Sequence, residues 1–468
     1  MNDNALVPAF LEDDARGLKD ILEQTCRYAS GLLADLDERP VVGRPSRPAQ
    51  AALPEDGGGF AAAFADFQSR WAPGFSASAG PRYLGFVTGG ATPASLAGDW
   101  LTGTFDQNPT SALDSSAPHL ERETVGWLGT LLGLPADFQG SFVTGATMSN
   151  FVGLAIGREW VGEQRGMQVS EAGLAALGPV RVYSGSPHSS VYKALSMLGM
   201  GRQAVTRVPV LAGREAVDVR ALEAALEAGR GEAVIVVANA GTVNTVDFDD
   251  IVAIAELKKK HSFWLHVDGA FGAFAALSPE HAHWVAGMDL ADSLCIDCHK
   301  WLNVPYDSAV QLTRRRDLQV RVFQNSAAYL GLPGDDPDFV HLTPENSRRL
   351  RALPAWFALS AYGRTGHREI VERNVAAARE LGRLIENEPR LTLLAPVRMN
   401  VACFALAVDA TEAATQAYLK RVSDSGDVFM TPTVLSGTWA VRAAFSNWRT
   451  QLDDVERVFE ALRAALAS

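Results

Sequence analysis

Apolar positions follow two rhythms along the 468-residue chain. Between 10 and 38, Leu11, Leu18, Ile21, Leu22, Ala29, Leu32 and Leu33 fall near helical spacing, which predicts an amphipathic helix stopped by Arg39-Pro40. A Pro-, Arg- and Gly-rich connector follows, then a short helix over 60–71. This N-terminal arm carries too little apolar surface to fold alone. From Pro81 the rhythm changes. Short apolar runs at 140–143, 181–184, 204–208, 233–238, 263–268, 293–296 and 309–312 alternate with helical stretches. One helix begins at Pro93; another, spanning 114–129, has a Ser/Pro start and an acidic first turn. Strands alternating with helices predict an α/β fold with a mostly parallel seven-stranded sheet covered on both faces. Ligands of such sheets sit beyond the carboxyl ends of the strands.

The turn-rich segment 324–345 reads as a mobile loop before a basic helix start at Arg348-Arg349-Leu350-Arg351. A long helix over 370–387 ends at Pro389 and leads into a smaller α/β unit. Its strands are expected at 401–408, 427–431 and 439–445, with a last helix over 453–467. The chain thus divides into an N-terminal arm (1–80), a large α/β domain (81–370) and a small C-terminal α/β domain (371–468).

A formal net charge of -12 argues against a nucleic-acid or anionic-membrane partner. No apolar run approaches the ~20 residues that span a bilayer, and the N-terminus lacks the basic and apolar parts of a secretion signal, so a cytoplasmic setting is expected. Of four cysteines, Cys295 and Cys298 form a Cys-x-x-Cys with no second ligand pair. Placement along a buried strand explains that pair better than a metal, and none is expected.

The chemistry concentrates at Ser293-Leu-Cys-Ile-Asp-Cys-His-Lys-Trp-Leu302. There an apolar run ends in a turn that puts Lys300 at the tip of a buried element. Burial is expected to lower its pKa and yield a nucleophilic amine, as Schiff-base chemistry with an aldehyde cofactor requires. One run upstream, Phe263-Trp-Leu-His-Val-Asp-Gly-Ala270 ends in Asp268. Beside a buried lysine that carboxylate can hold a pyridinium nitrogen protonated, which points to pyridoxal 5'-phosphate.

The two segments resemble the group II pyridoxal-phosphate-dependent amino acid decarboxylases, the aromatic amino acid, glutamate and histidine decarboxylase superfamily of fold type I. The resemblance covers roughly 80–450. It implies that Lys300 carries the cofactor, that Asp268 faces its ring nitrogen and that Ala146 and Thr147, in the Gly-Ala-Thr turn at 145–147, hold its phosphate together with His299. Such a turn alone is also an ordinary helix cap; backbone N–H groups at a helix start attract anions in either case. By the same resemblance His188, in His-Ser-Ser-Val, stacks on the ring and takes part in catalysis. Thr242 lies near the ring's phenolic oxygen, and Ala270 leaves room on the other face. Phe86 and Arg442 are candidate substrate contacts, the arginine because its fork grips carboxylates, although a solvated strand arginine reads equally well. A homodimer with active sites at the subunit interface is implied, the arm packing across the partner.

The expected reaction is decarboxylation of an L-amino acid to the amine and CO2. The chain departs from its relatives where many carry a loop tyrosine that reprotonates Cα: a gapless count puts Phe339 there, with Tyr329 and His341 nearby as substitutes. With no proton donor the electron-rich state left after CO2 loss would live longer, and oxygen capture would give an aldehyde instead. An aminotransferase or carbon–carbon lyase on the same fold is the further alternative.

Overall fold

The computed structural model describes residues 9–43, 48–325, 334 and 336–467. The strands are β1 (Gln139–Val143), β2 (Val180–Ser184), β3 (Val205–Arg207), β4 (Ala233–Asn239), β5 (Trp264–Asp268), β6 (Ser293–Asp297) and β7 (Ala309–Thr313), arranged in the order β1-β7-β6-β5-β4-β2-β3. Strands β3, β2, β4, β5 and β6 pair in parallel; β7 runs antiparallel to both β6 and β1. Every residue of β4, β5, β6 and β7 is buried. That explains why they read as unbroken apolar runs: helices cover both faces, so neither side of the pleat needs polar residues. The helix Ala146–Gln164 lies across β4, β5, β6 and β7. Asp218 and Asp250 cap two others by accepting from backbone N–H groups of the first turn.

A second sheet contains β8 (Leu391–Leu393), β9 (Val401–Leu406), β10 (Thr431–Leu435) and β11 (Thr438–Ala444), antiparallel in the order β10-β11-β9-β8. The strand expected at 427–431 begins only at Thr431. The residues before it pair elsewhere: Leu84 N–H donates to Phe429 O at 2.8 Å. Three-residue β8 is too short to leave a pattern in the sequence. The helix expected over 370–387 is the end of a longer one, Ala352–Glu386, broken at Gly363 with φ +54°. Val375 on it belongs to the core of the large sheet, Ala377, Ala378 and Leu381 to that of the small one. The N-terminal helix is two, Ala9–Arg16 and Leu18–Ala34, and it ends before Arg39-Pro40. No residue of the second is buried within the single chain. Among the described residues no helix is long and apolar enough to cross a membrane.

The basic start at Arg348 has a structural purpose. Its guanidinium makes two 2.8 Å hydrogen bonds to Glu121, and both side chains are all but inaccessible. Glu121 also accepts from Phe142 N–H, tying the helix Ala117–Leu131 to β1. Removing one partner of a buried pair strands the other's charge. Glu121→Ala is therefore expected to cost about 3–5 kcal/mol of stability, measured by denaturant unfolding of the cofactor-free protein. Glu121→Gln, which keeps an acceptor, should cost less.

Candidate functional site

Strands β5 and β6 end side by side, with Asp268 in register with Cys295. Beyond β6 a single helical turn, Cys298–Trp301, brings Lys300 back over the strand ends. Cys298 therefore lies past the strand, and both it and Cys295 are buried thiols whose pKa desolvation raises. Lys300 Nζ sits 2.8 Å from Asp297 Oδ2 and 5.5 Å from the centre of the Phe271 ring. Desolvation pulls the amine's pKa down, but the Asp297 carboxylate, joined by Asp268, outweighs it and leaves it above the ordinary lysine value. The lowering expected from burial alone is thus overturned by a neighbour three residues away. The chain reaches this turn at Gly89, whose N–H donates to His299 O. A Cβ on Gly89 would stand 1.7 Å from the Lys300 carbonyl oxygen, so only glycine allows the approach.

Asp268 is buried at the end of β5. Its Oδ1 accepts from Ala270 N–H at 3.2 Å and its Oδ2 from Asn150 Nδ2 at 3.0 Å. The same Asn150 amide donates to Ser190 Oγ at 3.0 Å, and Ser190 Oγ lies 2.8 Å from His188 Nδ1. His188, an exposed residue, caps the helix Ser189–Met197 through that nitrogen, which accepts from Ser190 N–H. Partial desolvation lowers the His188 pKa against the pull of Asp268, favouring the neutral ring.

The turn at 145–147 opens the helix Ala146–Gln164, whose first N–H groups have no acceptor within the helix. It faces the lysine turn: a Cβ on Gly145 would lie 3.4 Å from His299 Cε1. His299 accepts from Ser308 N–H at Nδ1, and its ring lies 4.4 Å from that of Tyr306. Burial lowers its pKa, Asp297 opposing. Thr242 is buried at the end of β4, its hydroxyl donating to Glu215 at 2.7 Å. Ala270 follows Asp268 and contributes no bulk. Arg442, on β11, reaches back to the same loop and donates from Nη1 to Val243 O at 2.9 Å. It is 8% exposed, its Nε has no hydrogen-bond partner, and burial lowers its pKa. Phe86 is 59% exposed, in the segment that leads to Gly89.

Phe339 is not brought to this cleft. Its ring is fully buried, with the guanidinium groups of Arg122 and Arg348 at 5.3 and 5.2 Å. His341 is buried too, its Nδ1 accepting from Asn325 N–H. Tyr329 lies outside the described residues. Sequence reading passed over Asp297, Asn150, Ser190 and Glu215. Asp297 alone left a signal, as a carboxylate ending an apolar run three residues before the lysine.

These residues fit pyridoxal phosphate. An amine at the strand ends, a carboxylate one strand away, a helix start and a histidine match its aldehyde, ring nitrogen and phosphate. The buried Oδ1 of Asp297, without a hydrogen-bond partner, marks a polar site left unsatisfied beside Lys300.

Known proteins agree. The family model described as the pyridoxal-dependent decarboxylase conserved domain matches residues 44–407. The aromatic-L-amino-acid decarboxylase of Sus scrofa is 28% identical over 479 residues, covering 97% of this chain and 96% of that protein. Oryza sativa TDC, solved with PLP and tryptamine, superposes with a TM-score of 0.88 at 22% identity, over 97% of this chain and 98% of its own. The 4-hydroxyphenylacetaldehyde synthase of Rhodiola rosea superposes with a TM-score of 0.81 at 20% identity, over 99% of both chains. Those likenesses establish the shared fold, and the match over most of its length establishes the family: the chain belongs to the pyridoxal-dependent decarboxylases and is a pyridoxal-phosphate-dependent amino acid carboxy-lyase of fold type I.

Proposed function

We propose that the substrate is an aromatic L-amino acid, released as the aryl-alkyl amine and CO2. The observation that carries this is a cluster of aromatic rings in the segment that leads to Gly89, the residue packed on the lysine turn. The Phe86 and Tyr83 rings lie 5.9 and 4.8 Å from that of Phe429, and Thr88 Oγ lies 3.4 Å from Tyr306 Oη, whose ring packs on His299. Flat apolar rings offer a flat apolar side chain contact area and quadrupole-matched edges. Relatives such as the Sus scrofa enzyme, named for aromatic L-amino acids, support the same reading.

Pyridoxal phosphate supplies an aldehyde to capture an amine and a ring that withdraws the electron pair released when the Cα–CO2⁻ bond breaks. The protein does the rest. Lys300 must shed a proton before its amine can react, and Asp297, at 2.8 Å, is the acceptor in reach. Asp268, held by two N–H donors, would face the ring nitrogen with its carboxylate oxygens. The helix start at Ala146 and Thr147, with His299, would hold the phosphate. Arg442 donates from Nη1 to Val243 O and its Nε has no hydrogen-bond partner, so part of its fork could orient the substrate carboxylate. His188, neutral and exposed, can hold a proton at Nε2 towards Cα. A homodimer belongs to this reading: Leu18 and Leu22 lie exposed on a helix with nothing buried in the single chain.

Incubating the holoenzyme with the twenty amino acids, while following amine, CO2, aldehyde and oxygen, tests the proposal. Amine and CO2 in equal amounts from tryptophan, tyrosine or phenylalanine, without oxygen uptake, is the expected result. Turnover confined to glutamate or another charged substrate overturns it. Aldehyde and peroxide with oxygen uptake would favour the oxidative reading.

A further inference from the structure

We propose that His266 is a positioning residue: through Asn150 it fixes the carboxylate of Asp268 as an ionised acceptor aimed at the ring nitrogen of pyridoxal phosphate. The inference rests on the assignment of Asp268 to that nitrogen.

Trp264, His266 and Asp268 alternate along β5 and so share one face of the sheet. The helix Ala146–Gln164 lies on that face and presents Asn150, Gly153 and Gly157 at helical spacing. A Cβ on Gly153 would come within 2.6 Å of His266 Cε1, and one on Gly157 within 2.7 Å of Trp264 Cδ1. The imidazole is therefore seated directly against helix backbone, with no accessible surface and no freedom to turn.

Each hydrogen bond in the row has its direction forced by its neighbour. An ionised carboxylate only accepts, so Asn150 must present Nδ2 to Asp268 at 3.0 Å, and the same amide serves Ser190 Oγ. Asn150 Oδ1 then faces His266 Nε2 at 2.8 Å, which requires the proton to be on Nε2. His266 Nδ1 is left to accept from Ser293 Oγ at 2.7 Å, and that hydroxyl can donate because Trp264 Nε1, donor only, fills its lone pair at 3.0 Å. The row ends at Asp268 on one branch and at His188, through Ser190, on the other. Turning Asn150 over would suit a protonated Asp268 but would set its amide against the Nε2–H of His266. Desolvation holds the His266 pKa to about 4, against the pull of Asp268, so the neutral tautomer that the geometry demands is the one present.

The test compares His266→Phe, which fills the space without nitrogens, and His266→Gln, whose amide can reproduce the Nε2 donor. Affinities of each cofactor-free protein are measured for pyridoxal phosphate and for its 1-deaza analogue, which has C–H in place of the ring nitrogen. His266→Phe should weaken pyridoxal phosphate about tenfold, the scale of outer-contact losses in cofactor and metal sites, and leave the deaza analogue nearly unchanged. His266→Gln should recover most of the loss. Equal weakening for both compounds, or none in a folded His266→Phe protein, overturns the proposal. If His266→Phe does not fold, Asn150→Ala is read instead and must show the same selectivity. A wild-type protein that binds both compounds equally would remove Asp268 from the ring nitrogen, a failure of the underlying assignment and not of the row of bonds alone.

Discussion

Lys300→Ala should lose covalent cofactor altogether and fall in amino acid turnover by about 10⁴-fold or more, as when an enzyme's nucleophile is removed. The position is defined by geometry. The turn Cys298–Trp301 returns across the ends of β5 and β6, and among its residues only Lys300 offers a primary amine. Borohydride reduction followed by peptide mapping should find the cofactor at residue 300 in the wild type and nowhere in the variant. Asp297 would lose its ion partner in Lys300→Ala, so modest destabilisation of the cofactor-free protein is expected as well. Cofactor fixed at another lysine, or turnover within tenfold of wild type, would remove the basis of the functional reading.

Asp268→Asn is expected to lower kcat by at least about 10²-fold, the usual loss when one preorganised electrostatic contact is removed from a reacting centre. The substitution keeps the side chain's shape and leaves Oδ1 able to accept from Ala270 N–H. It removes the charge that favours a protonated ring nitrogen, and with it the pull on the breaking bond. Binding of substrate should change far less, so the loss is expected in kcat and not in KM. A matching loss in KM would instead place Asp268 in substrate binding.

Much of this was legible in the sequence because strands buried on both faces leave unbroken apolar runs, and because runs ending in Asp268 and in the His299-Lys300 turn announce chemistry at strand ends. What stayed hidden depended on partners far apart in the chain. Asn150 and Asp268 are 118 residues apart, Glu121 and Arg348 are 227 apart, and nothing in either local pattern links them. The same distance problem misplaced Phe339: a gapless count fixes its order relative to Arg348, not whether its ring meets a cleft or two guanidinium groups.

By itself, the sequence determined the layered α/β architecture and the amine–carboxylate pair, since both are set by local periodicity and by residues adjacent to it. The tertiary structure decided the protonation of that amine, the tautomer of His266 and the exposure of each aromatic ring. Those properties depend on which charges and donors lie within a few ångströms, and long-range packing alone brings such groups together.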